Sequence, residues 1–310
     1  MSMRRYLLHI GYCGSMLRGV QKQREEHEAL FVSVGGLVEK GLKRLRPESI
    51  EQLYFSSRTD TGVHAVCNTA HVDLSCQGEG LCYEPSTVTN TLNRFFKKIN
   101  AEIRVHKTTL VPSTFHARYD AVSRKYLYRL AVTPEPASSA RAVLEQFMPV
   151  AEIGKLYLVR PPFDAERLES VCRLLEGVHD FASFANVQSK GSIPRETLRE
   201  IKSITVTPGQ PLLDPTLDPL YSKLQFWDVT VHGKSFLYRQ VRRTVGVLVG
   251  VAQRCLNLED VQHLLDHPSQ RNWNSKATVA PPDGLFLLDV EYPPHVFAEE
   301  GDDSGQSPQE

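Results

Sequence analysis

The sequence predicts an α+β fold in which two successive strand-helix-strand-strand-helix-strand units share one extended mixed sheet, with a central cleft between them. Three observations lead there. Short stretches alternate apolar and polar residues with the period of a half-buried strand. Longer stretches repeat apolar residues with the period of a helix that buries one face. The order of these two kinds of stretch in the first third of the chain recurs in the remainder. A chain of 310 residues, 41% hydrophobic and 23% charged, suits one or two globular domains with a sizeable core.

The elements follow in order. Tyr6, Leu8, Ile10 and Tyr12 alternate and predict a strand over residues 4–12. Leu30, Phe31, Val34, Leu37, Val38, Leu42 and Leu45 fall at helical spacing and predict a helix over 27–45. Residues 50–55 read as a short strand. Val66, Asn68, Ala70, Val72 and Leu74 predict a further strand after a turn at Gly62. Ser86 suits the cap of a helix reaching Lys98, and 103–110 closes the unit as a strand.

In the second unit, 124–132 is a strand rich in Tyr and Leu. Residues 133–162 form a connection without a clear period. Asp164 suits the cap of a helix carrying Leu168, Val171, Leu174 and Leu175. Strands follow over 198–206 and 224–231, split by the Pro-rich stretch 208–219. Helices over 235–253 and 258–265 precede a last strand over 285–290. Each half is thus a split β-α-β-β-α-β unit of the ferredoxin-like (RRM-like) kind. We divide the chain into a first half over 1–112, a second over 113–292 and an acidic tail over 293–310, which is low in apolar residues and expected to be disordered.

Bulk properties exclude several classes. No apolar run approaches the roughly 18–20 residues that span a bilayer, so no membrane association is expected. A secretory leader is not apparent, which points to an intracellular protein. The six cysteines form no C-x-x-C pair and have no histidine at zinc-finger spacing, so reduced thiols and no structural metal are expected. The formal net charge is zero, yet residues 291–310 hold six acids and no Lys or Arg, leaving 36 basic against 30 acidic residues elsewhere. A mildly basic body suits a polyanionic partner. The first 24 residues hold five basic residues and no acid, which slightly favours a mitochondrial address over a cytoplasmic one, although a strand pattern occupies the same segment.

Four clusters carry candidate chemistry. The first is Ser57-Arg58-Thr59-Asp60-Thr61-Gly62-Val63-His64-Ala65, at a sheet end between two strands. Taken singly, Asp, Thr and Gly are ordinary turn residues. Together, a carboxylate flanked by a guanidinium suits a nucleophile kept ionised and oriented. The second is His116-Ala117-Arg118-Tyr119-Asp120 with Ser123-Arg124-Lys125-Tyr126-Leu127-Tyr128-Arg129, which interleaves rings that stack on bases with cations that pair with phosphates. A strand with two half-buried tyrosines fits the same residues.

The third, Lys234-Ser235-Phe236-Leu237-Tyr238-Arg239-Gln240-Val241-Arg242-Arg243, places basic residues and no acid at a helix start. That charge opposes the helix dipole and favours a bound anion or a carboxylate partner. Gly246 and Gly250, four apart, permit close helix packing. The fourth, Ala280-Pro281-Pro282-Asp283-Gly284-Leu285, is a turn feeding a strand.

In this order the clusters resemble the TruA family of tRNA pseudouridine synthases, from about Tyr6 to Val290, and within it the animal branch of tRNA pseudouridine synthase-like proteins. Arg58-Thr59-Asp60-x-Gly62-Val63-His64-Ala65 is the most specific block. Ser123 to Tyr128, His179-Asp180-Phe181-x-Ser183-Phe184, Phe236-Leu237 with Val241-Arg242 and Val245-Gly246, and Ala280-Pro281-x-x-Gly284-Leu285 match further blocks.

The resemblance implies isomerisation of a uridine within RNA to pseudouridine, with no cofactor and no metal. It implies Asp60 as the essential carboxylate, Tyr126 as the tyrosine packed on the uracil and Arg242 as the arginine paired with the carboxylate. Arg58 matches the arginine that helps displace the target nucleotide, and Leu285 is expected in the uracil pocket. Arg124 and His64 are further expected substrate contacts. It implies a homodimer and an RNA partner, tRNA first and messenger RNA second.

The sequence departs from the family pattern in places. Cys13 stands where an Asp is expected after the first strand, Leu17, Arg18 and Val20 stand where aromatics are common, and Gln240 replaces an apolar residue. Stretches 133–162 and 208–219 read as insertions. Two other functions compete: a binding or chaperone protein of the same fold without turnover, and a metal-dependent hydrolase using Asp60 and His64. The first need not keep Asp60, Tyr126 and Arg242 together. The second needs more ligands than the motifs supply.

Overall fold

A computed structural model describes residues 3–22, 32–75, 83–134, 146–186 and 196–297. Ten strands form one mixed sheet with five α-helices packed on it among the described residues. The first half contains β1 (Met3–Tyr12), α1 (Val34–Leu42), β2 (Tyr54–Phe55), β3 (His64–Ser75), α2 (Pro85–Lys98) and β4 (Ile103–Val111). The second contains β5 (Ser123–Val132), β6 (Tyr157–Val159), α3 (Leu168–Leu175), β7 (Gly177–Asp180), β8 (Leu198–Pro208), β9 (Gln225–Gly233), α4 (Gln240–Ala252), α5 (Leu258–Asp266) and β10 (Leu285–Glu291).

The sheet runs β4-β1-β3-β10-β5-β9-β8-β7, with β2 on β3 and β6 on β5. In the first half β1 lies between β3 and β4 and β2 joins β3, all antiparallel. In the second, β5 lies between β9 and β10 and β8 joins β9, again antiparallel. The fourth, first, third and second main strands thus lie side by side in that order in each half. The halves meet where β10 runs parallel to β3, pairing Phe286 with His64 and Leu287 with Ala65.

Local chemistry fixes the element ends. Ser33 has extended backbone and its hydroxyl accepts from Gly36 N at 3.1 Å, so α1 starts there. That start lies well inside the expected helix; residues 23–31 fall outside the described residues. The next helix begins with Pro85 in its first turn after Glu84, so Ser86 lies within it and is not its cap. Val88, Leu92 and Phe96, one helical turn apart, bury against the sheet, while Asn93 bonds both ways to the Val105 backbone at 2.9 Å.

Asp164 makes no capping bond. It stands before a single 3₁₀ turn, and its carboxylate pairs with Arg254 at 3.2 Å. The expected strand over 50–55 shrinks to Tyr54–Phe55 plus an isolated bridge from Ile50 to Leu74. The segment 133–162, read as irregular, holds the short strand β6, which extends the sheet parallel to β5.

The helices cover one face and form two cores. Tyr6, Leu8 and Ile10 of β1 pack beneath α1 and α2, and Tyr128, Leu130, Val229 and Val231 pack beneath α3, α4 and α5. All but one residue of α4 is buried, as for a helix at the centre of a core. Tyr126 packs against both clusters and so marks the seam. On part of the opposite face Ala131, Leu156, Leu158 and Leu224 form a smaller cluster beneath the segment 146–159. Arg129 ties that segment down. Its guanidinium donates to both Glu152 oxygens, at 2.6 and 3.1 Å, and to the carbonyls of Lys155 and Gln210. No described helix is long and apolar enough to cross a membrane.

Candidate active site

The loop between β2 and β3 carries Arg58, Thr59 and Asp60 to the seam between the halves. There a cavity of about 600 Å³ opens, lined by this loop, by 18–21, by Arg118, Arg124 and Tyr126, by 235–242 and by Leu285. Six arginines line it (18, 58, 118, 124, 239 and 242), and Asp60 is its one carboxylate among the described residues.

Asp60 is positioned from below. Asn68 on β3 donates to Ser57 O at 2.9 Å and to the Tyr12 hydroxyl at 3.1 Å. The Tyr12 hydroxyl in turn bonds Thr59 Oγ1 at 2.7 Å, and Ser56 Oγ donates to Asn68 Oδ1 at 2.9 Å. These buried bonds fix the residues on either side of Arg58 and leave Asp60 projecting into the cavity. The positive φ of Gly62, 82°, lets the loop turn back beneath Pro282.

Arg242, in the first turn of α4, meets the carboxylate: its Nη1 lies 3.4 Å from Asp60 Oδ2. Its Nε donates to Ala280 O at 2.7 Å, while Ala280 N donates to Arg242 O at 3.2 Å. This reciprocal clamp needs the 277–280 segment to lie against α4. Gly246 permits that, since a Cβ there would stand 2.0 Å from Thr278 O. Gly246 therefore serves the close packing its spacing predicted. The acid-free helix start finds a carboxylate across the seam, one of the two kinds of partner the dipole argument favoured.

Burial pushes the Asp60 carboxyl above the ordinary carboxylate range, opposed by the charges of Arg242 and Arg239 and by the hydrogen bond from Arg242. Tyr126, on β5, is paired across to Val231 and Leu287. Phe236 meets its ring edge-on at 5.3 Å and 89°. Burial raises its phenol, opposed by a hydrogen bond with Ser57 and by the Arg124 charge.

Of the residues singled out from the sequence, Asp60, Tyr126, Arg242, Arg58, Arg124 and Leu285 all line this cavity. Arg58 is exposed at its edge and Leu285 is buried in its wall. The guanidinium of Arg124 is occupied within the fold, donating to the carbonyls of Ala121, Lys234, Ser56 and Arg118.

His64 is not part of the lining. It is 1% exposed and stacked on Phe286. Its Nδ1 accepts from Gly14 N at 3.1 Å, so the proton sits on Nε2, which faces the carbonyls of Gly154 at 2.8 Å and Asp283 at 3.1 Å. Burial lowers its affinity for a second proton. It ties three loops together behind Asp60.

Sequence reasoning placed Tyr12 and Asn68 on strands and Phe236 in a basic cluster without giving any of them a role at the site, since those roles depend on partners far along the chain. It also left Arg239 within a basic run, where the signal was present without a role. Cys13, Cys67, Cys172 and Cys255 are free thiols, and Cys76 and Cys82 lie outside the described residues.

Comparison with known proteins identifies the family. A sequence profile described as tRNA pseudouridine synthase matches residues 171–293, which include Arg242 and Leu285. The tRNA pseudouridine synthase-like 1 proteins of Mus musculus and Homo sapiens are each 35% identical, over 93% of this chain and 94% and 90% of their own. The tRNA pseudouridine synthase A of Mesorhizobium japonicum is 30% identical over 94% of this chain and its own full length. The chain therefore belongs to the TruA-type tRNA pseudouridine synthase family, a family of isomerases.

Proposed function

We propose that this chain isomerises a uridine in RNA to pseudouridine, with Asp60 as the catalytic carboxylate and tRNA as the substrate class. The observation that supports the reading is the Asp60–Arg242 pair, which holds the one carboxylate among the described residues of a cavity that six arginines line. A target uridine stacked in a stem is out of reach and must be turned outward, at a cost of about a few kcal/mol. Arginines around the cavity offset that cost by taking backbone phosphates. Arg58, exposed at the edge, is placed to occupy the space the nucleotide leaves. Tyr126 and Leu285 offer a ring face and an aliphatic wall for the uracil.

Asp60 then engages the ribose, at C1′ as a nucleophile or at the C2′ proton as a base. The N1–C1′ bond breaks, uracil turns, a C5–C1′ bond forms as Asp60 departs from C1′ or the C2′ proton is returned, the C5 proton leaves and N1 takes up a proton. Atoms balance without any co-reactant, and Arg242 keeps Asp60 ionised against the pull of burial. The partly buried setting of Asp60, 19% exposed, limits the water that would intercept detached uracil. By resemblance we read the working unit as a homodimer, which light scattering would establish.

The test is tritium release from RNA carrying 5-tritiated uridine, together with RNA binding. Asp60→Asn is expected to abolish release and keep binding. Release near the wild-type rate would overturn the role of Asp60, and wild-type protein that binds RNA without release would install the silent-binder alternative. Mapping pseudouridine in mitochondrial and cytosolic tRNA and messenger RNA, with and without the protein, identifies the target and compartment.

A further inference from the structure

We infer that Tyr238 and Arg239 form a second nucleotide subsite at the rim of the cavity, where Tyr238 stacks on the base of a nucleotide flanking the target uridine and Arg239 takes a neighbouring phosphate. The identity of the ligand as RNA rests on the reading above; the site itself rests on four observations.

The first is backbone geometry. Arg239 has φ 63° and ψ 10°, the left-handed region that favours Gly or Asn and costs other residues. Arg46 and Arg254 share this conformation at helix ends, but of the three only Arg239 lines the cavity, where the 235–238 segment turns into α4. The second is the ring. The Arg239 guanidinium lies over Tyr238, 5.1 Å from the ring centroid, and Tyr238 is nevertheless 51% exposed. With a cation on one face, the other face is the one left to a base, and a backing cation does not weaken such stacking.

The third is an unmet donor. Arg239 Nε is shielded from solvent and finds no acceptor among the described residues. A phosphate oxygen is an acceptor of the right charge, and it reaches Nε only as the side chain turns outward, meeting the terminal guanidinium nitrogens first. The fourth is the distribution of charge. Asp60 already has Arg242 at 3.4 Å, and the Arg124 guanidinium is spent on carbonyls. Arg239 has no carboxylate within ion-pair distance among the described residues, yet it lines the same cavity as Asp60.

A purely internal role is the competitor: Arg239 would act only by easing the ionisation of Asp60 through space. The two differ in salt dependence. A phosphate contact releases counterions on binding, and its loss lowers the salt slope; a contact with Asp60 does not.

The experiment measures binding of an RNA stem-loop to the full chain by fluorescence anisotropy over a salt series, with tritium release alongside. Arg239→Gly suits the left-handed backbone and removes only the side chain. It is expected to weaken binding roughly tenfold and to reduce the slope of log K against log salt by about 0.7–0.9. Arg239→Lys keeps the wild-type slope. Tyr238→Ala weakens binding by at least about fivefold with the slope unchanged, because stacking releases no ions. Should the glycine variant fail to fold, Arg239→Gln is measured in its place.

A slope unchanged in Arg239→Gly, with only the acid limb of the release rate moved, overturns the subsite. A changed slope in a protein that releases no tritium supports the subsite and sinks the synthase reading instead, so the two fail separately.

Discussion

Arg242 Nη1 stands 3.4 Å from Asp60 Oδ2, although 182 positions separate them in the chain. Each comes from a different half, and the guanidinium is aimed by Ala280 O on its other edge. This double use of one planar group leads to the first prediction. Arg242→Ala is expected to lower single-turnover release by about 10²–10³, the usual loss for a positioned charge in a shielded site. Arg242→Lys recovers little, because one ammonium does not reproduce the planar fork. Unchanged single-turnover rates would remove Arg242 from the mechanism.

The raised Asp60 carboxyl makes a prediction about pH. The active form is ionised, so the acid limb of the rate profile should lie above the ordinary carboxylate range. The stability effect has the opposite sense. A carboxyl raised in the folded state binds its proton more tightly there than in the unfolded chain. It favours folding at low pH and loses that contribution as pH rises through its folded value. At neutral pH the buried charge is a cost, and Asp60→Asn should melt at a higher temperature than wild type. Calorimetry at pH 7 showing a lower melting temperature would contradict this.

Gly246→Ala places a methyl 2.0 Å from Thr278 O, against backbone that has little room to yield. We expect a loss of about 1–3 kcal/mol of stability. We also expect slower tritium release, because the 277–280 segment that aims Arg242 must move away from α4. Denaturant melts and single-turnover rates on the same variant test both.

The Arg129–Glu152 pair is buried, with Glu152 0% exposed and its oxygens also accepting from Leu212 N. Glu152→Ala leaves a buried cation without its anion and should cost about 3–5 kcal/mol. Joint replacement by Met at 129 and Leu at 152 should cost less than either single change. A double-mutant cycle with additive losses would refute the coupling.

His71 accepts a hydrogen bond from Ala117 N at 3.0 Å and is held neutral, its pKa pushed down to about 4. Burial is the main cause, aided by Arg5 and His116 and opposed by Asp73 and Asp120. The unfolded chain takes this proton near 6.5, the folded chain only near 4, so acidification across that window favours unfolding. His71→Gln, which still offers an acceptor, should flatten the fall in melting temperature between pH 7 and pH 4.

Much of this was legible in the sequence because it is periodic or local. The alternation in 4–12 and 66–74 located β1 and β3 almost to the residue, because apolar side chains fill the helix-covered face while polar ones such as Thr69 and His71 fall on the other, even though both faces are largely buried. The Arg58-to-Ala65 block and the unbalanced charge at the start of α4 pointed to a carboxylate and a cation that the fold brings together. The misses are non-local. Nothing near His64 in sequence announces that its ring nitrogens face Gly14, Gly154 and Asp283 and hold it outside the cavity lining. Asp164 has the side chain of a cap, but Arg254 claims it from 90 positions away. β6 is three residues long and carries no period for a pattern to reveal.

The strand that joins the two halves, β10, comes late in the chain, yet it pairs with β3 on one side and β5 on the other. During synthesis the first half can fold as soon as β4 emerges, and most of the second sheet once β9 does. The seam between the halves must wait for residues 285–291. Pairings at such sequence separation are slow to form, since loop closure precedes any gain from contact. A nascent chain that has not yet released β10 therefore carries Asp60 without the seam that shapes the cavity around it.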